Sequence, residues 1–245
     1  MSGNSAIPEV LEVRRRIEAV KHRDYRIALM YLYLIDGRVS EAVSRRCLRD
    51  MKTTPRGPTG RDVDFFKFEG EEAAVFHVRT SKRGGALRIC AQPLNVAYQP
   101  WTKAVAEYIS DLGPDEPAFP WTRQKLWTVA VSIFSGLSYE ISDYTNIVYV
   151  RDGSGFIERD EQGKPLIGHR EDVKRHNRQF RLHGIRHLVA SDLVYTYGFN
   201  GIDLSQFGGW TMRTAVGVSA SIDRYLVLNW RQYFPKLLVK RAEYR

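Results

Sequence analysis

Sulfur is scarce in this chain. Two cysteines, Cys47 and Cys90, stand in unrelated segments of 245 residues. They make neither a Cys/His metal spacing nor a disulfide framework. Long apolar runs are also missing. No stretch approaches the roughly 20 apolar residues of a membrane-spanning helix, and no signal peptide opens the chain. The expectation is a cytoplasmic protein with no membrane partner, nucleoid-associated if the source is prokaryotic or viral. Acidic residues are in deficit, with 28 Asp and Glu against 37 Lys and Arg, a formal charge of +9 and a pI near 9.6. That balance favours a polyanionic partner, nucleic acid ahead of a membrane surface, although a merely soluble basic protein has it too. Disorder is excluded by a hydrophobic content of 43% and an aromatic content of 12%.

The patterning is mostly helical. Residues 7–23 place Val10, Val13, Ile17 and Val20 on one face, with a basic run at Arg14, Arg15 and Arg16. A second helix is predicted over 24–35, its stripe of Ile27, Met30, Tyr31 and Leu34 reading as core. Asp36-Gly37 breaks it, and Arg38 opens a short helix. Residues 51–61 hold two prolines, two glycines and basic residues including Lys52 and Arg56, the composition of a loop. Strands are predicted over 63–68, 73–80 and 86–91, the last two joined at Gly84-Gly85. Pro100 begins a helix with a clean stripe through Trp101, Val105, Tyr108 and Leu112. Thr122 caps another that runs to about 137.

Between 138 and 178 the periodicity fails. Residues 151–178 read as a polar inserted loop or small hairpin. Helices then resume over 183–197, stopped by Gly198, over 201–207 and over 219–230. Pro235 ends regular structure. The fold class expected is mainly α with a small antiparallel β-sheet, an α+β arrangement, in a single domain spanning 1–245.

The chemistry concentrates late in the chain. Arg181-Leu182-His183-Gly184-Ile185-Arg186-His187 precedes Gly208-Gly209-Trp210 and Tyr225. On a helix, His183 and Arg186 lie one turn apart on one face. A planar guanidinium suits a phosphate, and an imidazole can pass a proton near neutral pH. Arg38, at a helix entrance, adds a second cation where backbone N–H groups also favour an anion. Alone, each of these has a plainer reading as a surface ion pair or a satisfied core residue. Arg79, Lys82, Arg83 and Arg88 cluster on the predicted hairpin, a shape able to enter a nucleic-acid groove.

Taken in order, Arg38 in Asp-Gly-Arg-Val-Ser-Glu, Lys82 on a hairpin, His183-x-x-Arg186, Gly209-Trp210 and Tyr225 in Ile-Asp-Arg-Tyr-Leu resemble the catalytic domain of a tyrosine recombinase (phage-type integrase). The resemblance covers most of the chain, from about 7 to 233. It implies a mostly helical domain with a small sheet, double-stranded DNA as partner and self-association into a tetrameric synapse. It also implies cleavage and rejoining through a 3′-phosphotyrosine, without metal or other cofactor. Relatives usually carry a separate DNA-clamping domain upstream, and the lead before Arg38 is too short for it, so the expectation is either a fragment or a protein that binds DNA with one domain.

The residue chemistry runs parallel to the resemblance. Attack on a phosphodiester builds negative charge on its phosphoryl oxygens, which Arg38 and Arg186 can clamp. Tyr225 is the expected nucleophile, with Tyr233 the rival phenol. His183 is the candidate base or proton relay, and Lys82 either protonates the leaving 5′ oxygen or binds phosphate. The Trp210 N–H can donate to a phosphate oxygen but carries no proton. Glu41 is expected to orient Arg38. Lys52, Arg56, Arg79, Arg83 and Arg88 are the expected DNA contacts. A topoisomerase of the same chemistry, or a DNA-binding protein on the same fold that has lost catalysis, are the alternatives.

Overall fold

The structure is a computed structural model that describes residues 9–43, 57–80, 87–141, 145–172, 176–210 and 230–241. Lys52, Arg56, Lys82, Arg83 and Tyr225, the Gly84-Gly85 turn and most of the predicted 219–230 helix lie outside the described residues. The chain is mixed α and β, with helices beside small antiparallel sheets. It divides into two compact units, Leu137–Gln179 and a larger one formed by Glu9–Gly136 with the chain from Phe180 onward.

In the larger unit, helix α1 (Val10–Glu18) is followed by α2 (Arg23–Leu34) and α3 (Val39–Ala42). Every residue of α2 from Ile27 to Leu34 is buried, and Ile35 beyond it too. A helix apolar on all sides belongs in the centre of a domain, and α2 packs against α1 and α3. It also packs against α4 (Thr102–Ser110) and α6 (Leu182–Tyr195). Tyr31 meets Phe76 edge-on at 5.8 Å and Phe119 at 5.8 Å. Helix α5 (Arg123–Ile133) starts where the sequence places it, with the Thr122 hydroxyl accepting from the Lys125 N–H at 3.2 Å.

The sheet is antiparallel in the order β1 (Val63–Phe68), β2 (Glu71–Arg79), β3 (Leu87–Pro93). Side chains alternate across a strand, so Arg88, Cys90 and Gln92 of β3 share one face. That face covers the end of α2. Gln92 Nε2 donates to the Leu34 carbonyl at 2.5 Å, Cys90 Sγ to the same oxygen at 3.6 Å, and Arg88 Nη2 to the Ile35 carbonyl at 2.8 Å. Helix-terminal carbonyls lack intrahelical donors and carry partial negative charge. Here β3 supplies the donors.

The turn after α2 is a C-terminal capping turn. The Gly37 N–H reaches the Leu32 carbonyl at 2.9 Å and the Asp36 N–H the Tyr33 carbonyl at 3.3 Å. The left-handed position of that turn is Asp36, at φ 48, and not its neighbour Gly37. Helix α7 (Gly201–Gly208) is set by a reciprocal cap in which Asn200 accepts from Asp203 N at 2.9 Å while Asp203 accepts from Asn200 N at 2.8 Å. Gly209 closes it at φ 64.

The smaller unit is a β-ribbon, the small hairpin of the two expectations more than the loop. Its strand structure begins at 138, ahead of the predicted insertion. Strand β4 (Ser138–Ile141) pairs with β7 (His176–Gln179), and β5 (Thr145–Tyr149) with β6 (Ile167–Asp172). Between them, two matching turns follow eight residues apart. In each, an Asp Oδ1 accepts from two downstream N–H groups, and an Arg closes onto a glycine carbonyl, Arg151 on Gly155 at 2.6 Å and Arg159 on Gly163 at 2.8 Å. Polar turn chemistry built as β-ribbon hides from any search for apolar alternation.

Pro235 lies inside a short 3-10 turn, Phe234–Leu237, instead of ending regular structure. Tyr233 just before it is fully buried against Phe199 and Phe207. Its hydroxyl accepts from the Ala91 N–H at 2.9 Å and donates to the Ile89 carbonyl at 3.3 Å. Burial holds this phenol well above its ordinary pKa. Tyr233 is thus a core residue with a fixed hydroxyl, a poor position for the rival nucleophile. Tyr233→Phe leaves the Ala91 N–H unpaired, and chemical denaturation should register a loss of about 1–3 kcal/mol. An unchanged midpoint would mean that the hydroxyl contributes nothing to holding β3.

Candidate functional site

Arg38 caps the start of the one-turn helix α3, and Glu41 sits within it. The Arg38 N–H donates to Glu41 Oε2 at 3.0 Å, and Arg38 Nη1 to Oε1 at 3.1 Å. The Glu41 side chain is fully buried, whereas that of Arg38 keeps 22% of its surface open. Arg88 Nη2 reaches Glu41 Oε2 at 3.2 Å, so one carboxylate serves two guanidiniums. Burial alone would raise the pKa of Glu41. The charge of Arg88, the Arg38 N–H and the charges of Arg186 and Arg38 outweigh it and hold the group below its ordinary value.

Arg186 arrives on α6, 150 residues from its partner in the turn after α2. Its Nη1 donates to the Asp36 carbonyl and its Nη2 to the Gly208 carbonyl at 2.8 Å. The Asp36 carboxylate stands 3.9 Å away, and the Trp210 ring covers the guanidinium with 4.4 Å from Cζ to the ring centre. Burial depresses Arg186 to about 10, partly offset by Asp36, so it stays charged at neutral pH. Trp210 Nε1 donates to Asp36 Oδ2 at 2.6 Å, and Ser205 Oγ ties the Trp210 carbonyl at 2.8 Å. This crowding requires glycine at 208, where an added Cβ would stand 2.1 Å from Asp36 Oδ2.

Of the residues singled out in the sequence, Arg38 and Glu41, Arg186, and Trp210 come together from three distant segments. His183 is exposed on α6, one turn before Arg186, with its ring edge-on to that of His187 at 4.5 Å. Two expected DNA contacts are elsewhere engaged. Arg88 is 8% exposed, and its guanidinium donates to Glu41 and to the carbonyls of Ile35 and Phe207. It belongs to the cluster's interior, a correction that follows from the alternation of β3. Arg79 donates to the buried Asp62 at 2.6 Å, which also takes the Thr59 N–H and hydroxyl.

Asp36 was missed as a site residue. In the sequence it reads only as half of a helix-breaking Asp-Gly pair, and no local pattern tells that its side chain turns inward. The cluster therefore combines three guanidiniums with two buried carboxylates, an excess of positive charge whose most open member is Arg38. Such an assembly can hold an anion if donors are freed toward it. Among the described residues, no group of three or more His, Cys, Asp and Glu side chains is placed to hold a metal ion. No helix there is long and apolar enough to cross a membrane.

No protein-family model matches this chain, and no curated protein matches it either.

Glu41 is the counter-charge of a fully desolvated guanidinium. Glu41→Gln strands Arg88 in the interior, and urea unfolding should show a loss of roughly 3–5 kcal/mol. A cost under about 1 kcal/mol, the range of an exposed pair, would show that Arg88 is carried by the backbone carbonyls instead.

Proposed function

We propose that this protein is a DNA strand-cleaving and rejoining enzyme of the tyrosine recombinase kind, a site-specific recombinase or integrase. In this reading it acts on double-stranded DNA through a 3′-phosphotyrosine. The observation that carries the reading is the convergence of Arg38, Glu41, Arg186 and Trp210, four of the residues in the motifs that carry the sequence resemblance, at the end of one buried helix. Two guanidiniums would clamp the scissile phosphate, with bonds that strengthen as charge develops on its oxygens. Glu41 would hold Arg38 in place. Tyr225 would attack phosphorus in line, forming the tyrosine–phosphate bond as the bond to the 5′ oxygen breaks. Its proton would pass toward His183, and Lys82 would protonate the departing 5′ oxygen. The α+β architecture is compatible with this fold family. The basic balance of the chain supports DNA as partner and a nucleoid location, and a synapse of several copies follows by analogy with the family.

One observation favours a second reading, a DNA-binding protein without cleavage. The donors of Arg186 and the Trp210 N–H are engaged on internal acceptors.

A nicked duplex that traps covalent intermediates separates the two. In EDTA, the wild-type protein should remain attached to DNA after denaturation, with the label mapping to Tyr225. Tyr225→Phe should bind the duplex and form no adduct, and Arg38→Ala should slow adduct formation by about 10² or more. A wild-type chain that binds and never attaches would establish the binding reading; strict dependence on added Mg²⁺ would remove the arginine clamp.

Binding itself is testable apart from chemistry. If about six phosphates are contacted, affinity for duplex DNA should fall by about 10³ between 50 and 200 mM salt. A flat response would argue against a broad phosphate-binding face.

A further inference from the structure

We propose that Asp36 is a positioning residue of this centre: its buried carboxylate holds Trp210 and faces Arg186, and yields the indole N–H when an anion takes its place. The inference rests on the phosphate-clamp reading above and adds to it a residue that nothing in the sequence resemblance assigns.

The backbone gives the first reason. Asp36 sits at φ 48, in the left-handed position of a helix-capping turn. Glycine is the ordinary occupant there, and one stands next door at Gly37. An acidic side chain kept at a disfavoured backbone position, with glycine adjacent, points to work done by the carboxylate.

The side chain gives the second. It is fully buried, and only one oxygen is used: Oδ2 accepts the Trp210 N–H at 2.6 Å and lies 3.9 Å from Arg186 Nη2. Oδ1 has no hydrogen-bond partner among the described residues. A buried carboxylate built for stability alone would satisfy both oxygens. This one instead stands where two donors expected to face phosphate converge, a half-satisfied internal stand-in for the anion. The Trp210 indole also faces Arg186 with its ring, so release of the N–H changes how the guanidinium is covered.

Among the described residues, the charges that act on Asp36 are Arg186 from α6, Arg88 from β3 and Glu41 from α3. Burial pushes its pKa up to about 6, against the pull of Arg186, the Trp210 N–H and Arg88 and with the help of Glu41. A carboxylate raised in this way is charged at neutral pH and loses its charge as pH falls through about 6. The hold on Trp210 should weaken in the same window. Because the hold and the anion compete for the same donor, whatever weakens the hold strengthens anion binding, by at most the same factor.

The test uses the DNA-free protein and sulfate, whose charge is constant over the range. The indole ¹⁵N–¹H resonance of Trp210 is assigned by its loss in Trp210→Phe. In the wild type it should move with a midpoint near pH 6, and on adding sulfate. In Asp36→Asn it should be insensitive to pH between about 5 and 8, and sulfate should bind about fivefold tighter or more at neutral pH. Imidazoles titrate in the same window, so the Asp36→Asn comparison assigns the transition. A Trp210 resonance indifferent to both pH and sulfate in the wild type would overturn the proposal, even if the variant failed to fold. So would an identical titration in Asp36→Asn. Neither readout involves cleavage. A protein that meets them and never attaches to DNA would sink the recombinase reading while leaving this role of Asp36 standing.

Discussion

The end of helix α2 is the constraint on which the rest of this structure depends. A helix buried on all sides must finish somewhere inside the protein, and its last carbonyls then have no water to bond. The leftover acceptors of Leu34, Ile35 and Asp36 are met by Gln92 and Cys90, by Arg88 and by Arg186. Two of those donors are cations, as the partial negative charge of a helix C-terminus favours. Two desolvated guanidiniums then require counter-charges, and the buried Glu41 and Asp36 stand beside them. The sheet, α6 and the turn after α7 are thereby fixed in relation to α2. Gly208 allows the final approach, because a side chain there would collide with both Asp36 and Trp210.

What periodicity governs was legible in the sequence. The stripes of α2 and α4, the Thr122 cap, and the three strands follow from local rules that need no knowledge of the partner. Arg38, Glu41, Arg186 and Trp210 were legible as a set only through an ordered resemblance, since each alone has an ordinary surface or core reading. Arg88 was misplaced because its fate is decided by which face of β3 covers α2, a fact of tertiary packing. Asp36 escaped notice because Asp-Gly announces a turn and says nothing of where the carboxylate goes. The sequence left 151–178 open between loop and small hairpin, because the strands of the Leu137–Gln179 ribbon lack apolar alternation and its hydrogen bonds join positions distant in the chain.

The cluster is a costly structure for a merely stable fold. Buried ion pairs are often no better for stability than apolar residues of equal volume, because desolvation offsets attraction. Hydrophobic side chains over the end of α2 would still have left its carbonyls unpaired, so some donors were needed there. Neutral amides would have served, as Gln92 does for Leu34. Guanidiniums at 88 and 186 exceed what capping requires, and their charge has consequences beyond the helix end.

That excess acts through field as well as through contact. Arg88 and Arg186 are shut away, with exposures of 8% and 1%, and water screens charges poorly in such surroundings. Their carboxylate partners cancel two positive charges when both are ionised, leaving the third guanidinium of the cluster without a full counter-charge. Arg38 is the member that reaches the surface, so the uncancelled charge appears where an anion can arrive. A fixed cation backed by buried ones needs little rearrangement to receive a phosphate. The deeper donors do need it, because their hydrogen bonds already point at Asp36 and Gly208. The same contacts that let α2 end in the interior therefore set a threshold for engaging Arg186. Anion affinity at this site should depend on the turn at Asp36 as much as on the arginines themselves.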